Sequence, residues 1–196
     1  VVGQDHLLGP DGPIGRMVAA GQLSSLILWG PPGTGKTTIA RLLAKGAGLR
    51  FSAISAIQSG VADLRKVFDE ARLRRGNGQK TLLFADEIHR FNKSQQDSFL
   101  PVVEDGTIIL VGATTENPSF ELNAALLSRC FVFVLNRLDE PAMGKLLDRA
   151  EAHLETPLPL SDAARQMVVD LAGGDGRYLL GMVEQAVAAA DGAPLD

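Results

Sequence analysis

Short apolar runs, bounded by glycine, polar or charged residues, predict the strands of this chain. Each run is too short for a helix, and this pattern is typical of a parallel sheet that is covered on both faces. A fifth run is a weaker candidate. The four strong runs are Leu26–Trp29, Leu82–Phe84, Ile108–Val111 and Phe131–Leu135, and the weaker one is Arg50–Ile54.

Helical patterns lie between these runs, with apolar residues at spacings of three to four positions. In one of them, Leu64, Phe68 and Ala71 share a face, whereas Lys66 and Glu70 lie on the opposite face. Alternation of strands and helices predicts an α/β fold, with a parallel five-stranded sheet between two layers of helices.

The strand pattern stops after Leu135, and only helical patterns follow. Asp139 and Ser161 are the expected helix starts. A last amphipathic helix is marked by Leu179, Val183, Val187 and Ala190. We therefore expect two domains, an α/β domain at residues 1–136 and a small helical domain at residues 139–196.

Composition excludes several classes of protein. Of the 196 residues, 45% are hydrophobic and 21% are charged, which is typical of a globular protein and not of a disordered one. The apolar runs are far shorter than the roughly 20 residues of a membrane-spanning helix, so we expect no membrane partner. The single cysteine favours a reducing compartment. The chain opens at Val1 without a signal core, which favours a cytoplasmic location and is also consistent with a fragment.

Charge is divided unevenly along the chain. The net charge is −4, but residues 1–138 hold 15 basic and 12 acidic side chains, whereas residues 139–196 hold 4 and 11. Contact with a polyanion is therefore expected in the first part.

A glycine-rich segment directly follows the first predicted strand. Gly30–Thr37 fits the pattern G-x-x-x-x-G-K-T, in which glycines let backbone N–H groups turn toward phosphate oxygens. The next helix directs its positive end at the same phosphates. Lys36 is expected to reach the β- and γ-oxygens of ATP, and Thr37 to ligate Mg²⁺. The predicted binding residues are Pro32, Gly33, Thr34, Gly35, Lys36, Thr37 and Thr38.

A second strand, Leu82–Phe84, is soon followed by two acidic residues. Asp86 is expected to hold Mg²⁺ opposite Thr37, and Glu87 to orient and polarise the attacking water. These assignments predict an ATPase.

Two later residues favour hydrolysis over the other reactions of phosphate-binding loops. Asp86–His89 is similar to the D-E-x-H box of helicases, which need two motor domains, and a kinase would need an acceptor pocket and a basic lid. Thr115 ends a strand beside Glu87 and is expected to touch the water or the γ-phosphate. Arg129 precedes the last strand, too far from its own nucleotide but suited to that of a neighbouring subunit.

Together with Gly174–Arg177, these motifs resemble Walker A, Walker B, sensor 1, arginine finger and sensor 2 of AAA+ ATPases of the clamp-loader group. Two longer strings, His89–Asp97 and Thr114–Asn123, resemble the replication-associated recombination protein A family. Its eukaryotic relative is the Werner helicase-interacting ATPase. The likeness runs from Val2 to about Ala190.

The resemblance implies further roles and partners. Val1, Val2 and Gly3 are expected near adenine, and Arg177 is expected to reach the γ-phosphate from a helical lid. It also implies ATP hydrolysis between subunits in response to DNA, in replication-fork maintenance, recombination and repair in the bacterial cytoplasm or nucleoid. Single-stranded, gapped or forked DNA, single-stranded DNA-binding protein and further copies of the chain are the implied partners. The resemblance also implies a C-terminal oligomerisation region, which is expected to lie beyond residue 196.

Two other functions remain open, a nucleotide-gated scaffold similar to a clamp-loader subunit and a Holliday-junction branch-migration motor. Arg90 and Lys93 are candidates for contact with DNA or with another subunit. Ser55 is a candidate to hydrogen-bond Glu87 and hold it inactive. His89, like the other two histidines, has no metal-ligand spacing and is interpreted as structural or solvated.

Overall fold

The computed structural model describes residues 1–190 and contains a sheet of five parallel strands. Every expected strand is present, and β1 has the predicted bounds. The strands are β1 Leu26–Trp29, β2 Arg50–Ser55, β3 Thr81–Asp86, β4 Ile108–Thr114 and β5 Phe131–Val134. Strands β2, β3 and β4 extend beyond the predicted runs, because backbone pairing continues past the apolar residues, whereas β5 ends at Val134, one residue before the predicted Leu135.

The strand order is β2-β3-β4-β1-β5, so β1, β3 and β4 lie together in the middle of the sheet. All pairs are parallel, with Trp29 opposite Thr114 and Ser55 opposite Asp86. The carboxyl ends of parallel strands meet at one edge of a sheet, which is where open α/β folds bind ligands. Asp86 and Thr114 therefore end their strands on that edge.

Helices cover both faces of the sheet. Their bounds are α1 Asp5–Leu8, α2 Pro13–Ala19, α3 Lys36–Gly46, α4 Val61–Gly76, α5 Lys93–Asp97, α6 Phe99–Glu104, α7 Pro118–Glu121, α8 Ala124–Leu127, α9 Glu140–Leu154, α10 Asp162–Ala172 and α11 Gly176–Ala189. A 3₁₀ turn at Ile88–Arg90 follows β3.

Successive strand residues point to opposite faces, and each face has its own core. Leu83 and Leu110 pack with Phe68 of α4 and Phe99 of α6, whose rings meet edge-on at 5.4 Å between centroids. Helix α3 packs against β2, β3 and β4 and buries Ile39. The predicted three-layer α/β fold is confirmed.

The interpretation of β5 as a buried strand is wrong. Phe131 and Val134 are 53% and 47% exposed, because β5 is an edge strand with a single neighbour, β1. An apolar run shows that a segment favours a strand, but it does not show whether another strand or helix covers it.

The expected helix starts after the sheet are confirmed. Asp139 accepts a hydrogen bond from the backbone N–H of Ala142 at 2.9 Å, and Ser161 accepts one from Ala164 at 3.2 Å. These N-caps satisfy donors that the first helical turn leaves free.

The described residues group into two compact units. The sheet unit contains Asp5–Gly30 and Lys36–Leu135, and the helical unit contains Val1–Gln4, Pro31–Gly35 and residues 136–190. Leu147, Leu179 and Val183 form the core of the helical unit. The division into domains at 1–136 and 139–196 stays a prediction. Among residues 1–190, none of the helices combines the length and the apolar character needed to cross a membrane.

Candidate nucleotide site

Residues Pro31–Gly35 of the glycine-rich loop belong to the helical unit and have the backbone that the sequence predicts. Gly33 and Gly35 have φ angles of 70° and 94°, which residues with a Cβ atom rarely adopt. The Thr34 hydroxyl donates to the carbonyl oxygen of Pro31 at 2.9 Å and closes the turn. The loop is therefore shaped by its own residues.

The start of α11 lies against this loop. Asp175 caps the helix by accepting hydrogen bonds from the N–H groups of Arg177 and Tyr178, at 2.9 and 3.0 Å. The N–H of Gly176 donates to the carbonyl oxygen of Gly33 at 3.2 Å, and a Cβ atom on Gly33 would overlap the Asp175 carboxylate. The structure thus brings the predicted loop and the exposed Arg177 together.

The first residues of the chain also belong to the helical unit. Val1 approaches Gly35, since its Cγ1 atom would lie 3.3 Å from a Cβ atom there. Val2 is buried in the helical core, and Gly3 has a φ angle of 69° and packs against Leu138. Val1 therefore lies beside the loop, whereas Val2 packs in the core of the helical unit.

Lys36, Thr37 and Thr38 form the first turn of α3 in the sheet unit. The buried ammonium group of Lys36 donates to the carbonyl oxygen of Gly30 at 2.6 Å, across the base of the loop. Thr37 is half-buried and Thr38 is exposed.

Asp86 and Glu87 stand at the carboxyl end of β3. Asp86 is the last residue of the strand, and Glu87 has φ 52° and ψ 43°, the left-handed conformation that costs energy in a residue with a Cβ atom. The fully buried Ile88 follows, and a Cβ atom on Gly112 of β4 would lie 2.9 Å from its Cδ1 atom. The close approach of Ile88 to β4 fixes the turn that carries Glu87. Strain of this kind is often found at functional sites.

The carboxylate of Glu87 contacts the 3₁₀ turn. Its Oε2 atom lies 3.5 Å from Nε2 of His89 and 3.8 Å from Nε of Arg90. Nδ1 of His89 lies 2.9 Å from the hydroxyl of Thr114, which is fully buried. Within residues 1–190, the polar contacts of this carboxylate do not include Ser55, so the structure does not support the hypothesis for Ser55.

Sequence reasoning missed Thr114 and His89. Thr115, the predicted sensor, is half-buried and follows the last residue of β4, whereas Thr114 is the residue that bonds His89. The D-E-x-H spacing could have pointed to His89. A tight turn directly after a strand can bring residues two positions apart, here Glu87 and His89, into contact. Which of two adjacent threonines points to the site depends on the strand pleat.

Arg129 lies after α8, just before β5. Its Nε donates to Glu104 at 2.6 Å and its Nη1 to the carbonyl oxygen of Ala125 at 2.6 Å, and its side chain is 37% exposed. The guanidinium is thus held at the surface of the sheet unit.

Two arginines of α4 pair with acidic side chains of the same helix. Arg72 contacts Asp69 at 2.8 Å, and Arg74 contacts Glu70 at 2.7 Å. Such pairs leave little free positive charge. Arg90 and Lys93 are exposed.

The residue types fit a magnesium nucleotide. Gly33 and Gly35 have the positive φ angles that let a loop point successive backbone N–H groups at an anion. Mg²⁺ prefers a few oxygen ligands alongside phosphate, and Thr37 and Asp86 supply a hydroxyl and a carboxylate. Among residues 1–190 there is no group of three or more His, Cys, Asp or Glu side chains that could hold a metal ion.

The family model for "ATPase family associated with various cellular activities (AAA)" matches residues 26–138, more than half of the chain. The chain belongs to this family of ATPases. The recognition of an AAA ATPase from the motifs is therefore confirmed, and with it a nucleotide-binding function.

Two relatives confirm the finer resemblance. Replication-associated recombination protein A of Coxiella burnetii is 52% identical to this chain over 192 residues. The match covers 93% of this chain and 42% of that protein. ATPase WRNIP1 of Dictyostelium discoideum is 43% identical over 192 residues, covering 96% of this chain and 22% of that protein. This chain spans less than half the length of these relatives.

Among solved structures, the Holliday-junction branch-migration motor RuvB of Thermotoga maritima has a TM-score of 0.75 and is 25% identical. The match covers 93% of this AAA chain and 61% of RuvB. At this identity the likeness supports the fold.

Proposed function

We propose that this chain is the ATP-hydrolysing part of a protein that maintains replication forks. The observation that carries the proposal is the strained Glu87 at the end of β3, directly after Asp86 and on the same sheet edge as Thr114. A carboxylate held there at the cost of backbone strain suits a residue that acts on water beside a phosphate.

Binding of ATP is divided among the residues that the motif predicts. The amides of Gly33, Thr34 and Gly35 hold the phosphates, and the ammonium group of Lys36 exchanges its bond to Gly30 for the β- and γ-oxygens. Pro32 and Thr38 flank this cradle. Val1, Val2 and Gly3 lie near adenine in this proposal.

Hydrolysis needs a positioned water and neutralised charge. Thr37 and Asp86 would hold Mg²⁺, which supplies charge neutralisation on the phosphate oxygens when bound. Glu87 orients the attacking water and accepts its proton, and Thr115 contacts the water or the γ-phosphate. The remaining charge is balanced by Arg177 of the lid, residues 139–196, and by Arg129 from a neighbouring copy.

The test is the variant Glu87→Gln in the complete protein. It keeps the shape of the side chain but removes its basicity, so we expect unchanged affinity for ATP and loss of turnover. Lys36→Ala is the matched control, because it is expected to lose affinity as well. Turnover that persists in Glu87→Gln would overturn the catalytic assignment.

DNA is the proposed partner that controls hydrolysis. Support comes from the net positive charge of residues 1–138, the exposed Arg90 and Lys93, and the name of the relative, replication-associated recombination protein A. Single-stranded, gapped or forked DNA, single-stranded DNA-binding protein and a homo-oligomer complete the proposal, with the bacterial cytoplasm and nucleoid as location.

Steady-state ATPase measurements with single-stranded, duplex and forked DNA test this partner. We expect stimulation by at least one of the single-stranded or forked forms, falling as salt rises. Equal rates with and without every DNA would argue against it.

The likeness to RuvB favours one second candidate, a motor that moves DNA junctions. A complete assembly that displaces a labelled junction in the presence of ATP would support this alternative, whereas binding without movement would exclude it. A non-hydrolytic scaffold is less well supported, because both Glu87 and Arg129 are present.

A further inference from the structure

A short chain of polar contacts joins the end of β4 to the carboxylate of Glu87. The hydroxyl of Thr114 lies 2.9 Å from Nδ1 of His89, and Nε2 of the same ring lies 3.5 Å from Oε2 of Glu87. One imidazole therefore touches a buried strand residue with one nitrogen and the acidic residue with the other.

The fixed end of this chain is Thr114. Its side chain is fully buried, and its hydroxyl also accepts a hydrogen bond from the N–H of Glu116 at 3.0 Å. The packing of Ile88 against β4 holds the turn from the other side. The side chain of His89 is only 10% exposed, so the ring has little room to take another orientation.

Hydrogen bonding determines which nitrogen of the ring carries a proton. A bare Nε2 lone pair facing a carboxylate would be repulsive, so Nε2–H faces Glu87. Nδ1 of the same ring faces the hydroxyl of Thr114, which also donates a hydrogen bond to the carbonyl oxygen of Glu116 at 3.1 Å. The ring thus presents a donor to Glu87 in a direction that β4 sets.

Arg90 contacts the same oxygen in a different way. Its Nε lies 3.8 Å from Oε2 of Glu87, but its side chain is 58% exposed. An exposed pair of this kind is weak and screened. His89, not Arg90, is therefore the contact that can hold the carboxylate in one place.

We propose that His89 is a positioning residue, which fixes the orientation of the Glu87 carboxylate by transmitting the position of Thr114. This inference rests on the proposed function, since it concerns the acidic residue that acts on water. It predicts that His89 affects turnover and leaves nucleotide affinity unchanged, because within residues 1–190 the polar contacts of its ring are to Thr114 and Glu87.

The test compares His89→Ala, His89→Gln and His89→Asn in the complete protein. In His89→Ala we expect kcat to fall about 10- to 100-fold, the effect of misplacing a reacting group by about 1 Å, while KM and the dissociation constant of a fluorescent ATP analogue stay within about twofold. His89→Gln should recover part of kcat, because its amide N–H₂ can stand where Nε2–H stands. His89→Asn is too short and should not recover it. The exposed His153 gives the matched control, since His153→Ala should leave kcat unchanged.

A second pair of variants covers the case in which the ring is needed for folding. Thr114→Val keeps the shape of the side chain but removes the hydroxyl, and Thr114→Ser restores the hydroxyl. We expect kcat to fall in the first and to return in the second, with unchanged analogue affinity in both.

Unchanged kcat in His89→Ala, or equal loss of kcat and analogue affinity in all three His89 variants, would overturn the inference. Glu87→Gln, measured beside them, separates the two proposals. If Glu87→Gln is inactive and His89→Ala turns over normally, only the positioning role fails. If Glu87→Gln turns over, the proposed function fails first.

Discussion

The Oδ1 atom of Asp175 lies where a Cβ atom on Gly33 would have to be. The same oxygen accepts the two N–H groups that begin α11 and is therefore fixed by the helix. Gly33 is thus required for two reasons, its positive φ angle and the closeness of this carboxylate.

Gly33→Ala is expected to lose nucleotide affinity by at least about 10-fold, because the loop must move away from α11 to make room for the methyl group. Gly48→Ala is the matched control. Gly48 also has a positive φ angle, 65°, but a Cβ atom there would meet nothing within 4 Å, so only backbone strain of about 1 kcal/mol is expected. Urea unfolding and titration with a fluorescent ATP analogue measure the two effects. Equal analogue affinity in the two variants would contradict the steric account.

Arg129→Ala should lower kcat about 10³-fold if its guanidinium serves the nucleotide of a neighbouring copy. Mixing Arg129→Ala with Lys36→Ala chains of the complete protein should then restore part of the activity, because a mixed interface joins an intact cradle to an intact arginine. ATPase rates over a series of mixing ratios provide the measurement, and each variant alone is the control. No recovery at any ratio would show that the arginine does not act between copies.

Cys130 is expected to react slowly with thiol reagents. Burial raises the pKa of its thiol to about 12, so almost none of it is thiolate at neutral pH. Since it is the only cysteine, a maleimide time course at pH 7.5 reports on it alone. The urea-unfolded chain is the control and should react much faster. Similar rates in the folded and unfolded chains would contradict the burial.

Glu151 should make the stability of the helical unit depend on pH. The N–H of Leu158 donates to its carboxylate at 3.0 Å and Arg165 pairs with it at 2.5 Å, which lowers its pKa below the ordinary 4.5. A lowered pKa stabilises the folded state above about pH 4.5, and this contribution is lost as pH falls through the lowered value.

Glu151→Gln should therefore reduce the free energy of unfolding at pH 7. The gap, which is the difference in this free energy between the variant and the original protein, should become smaller below pH 4. Urea unfolding at several pH values measures this gap. The exposed Glu184 offers a control, since Glu184→Gln should show no such trend. A gap that is constant from pH 7 to pH 3 would rule out the carboxylate as its source.

Much of the fold could be predicted because its signals are local. Apolar runs located all five strands, and Asp139 and Ser161 capped helices as their side chains predict. The exposure of β5 could not be predicted, because it depends on which strand forms the sheet edge.

In the candidate site, too, features with local signals could be predicted and features that depend on distant residues could not. The glycines of the loop were recognisable because their backbone angles depend on the residue itself. The contact between His89 and Thr114 joins positions 25 residues apart, and no local pattern contains it. For the same reason, the sequence suggested Ser55 as the partner of Glu87, although the left-handed backbone of Glu87 is followed by a turn that supplies His89 instead.

The open edge of β5 has a practical consequence. Within residues 1–190, β5 has a neighbouring strand on one side only, and Phe131, Val132 and Val134 are exposed along it; such an edge is a template for intermolecular pairing. The ring of His6 bonds the carbonyl oxygen of Val134 at 3.1 Å and blocks one end of that edge. The edge of β5 is therefore where we expect copies of this chain to associate in concentrated samples, and Val132→Lys is expected to reduce that association.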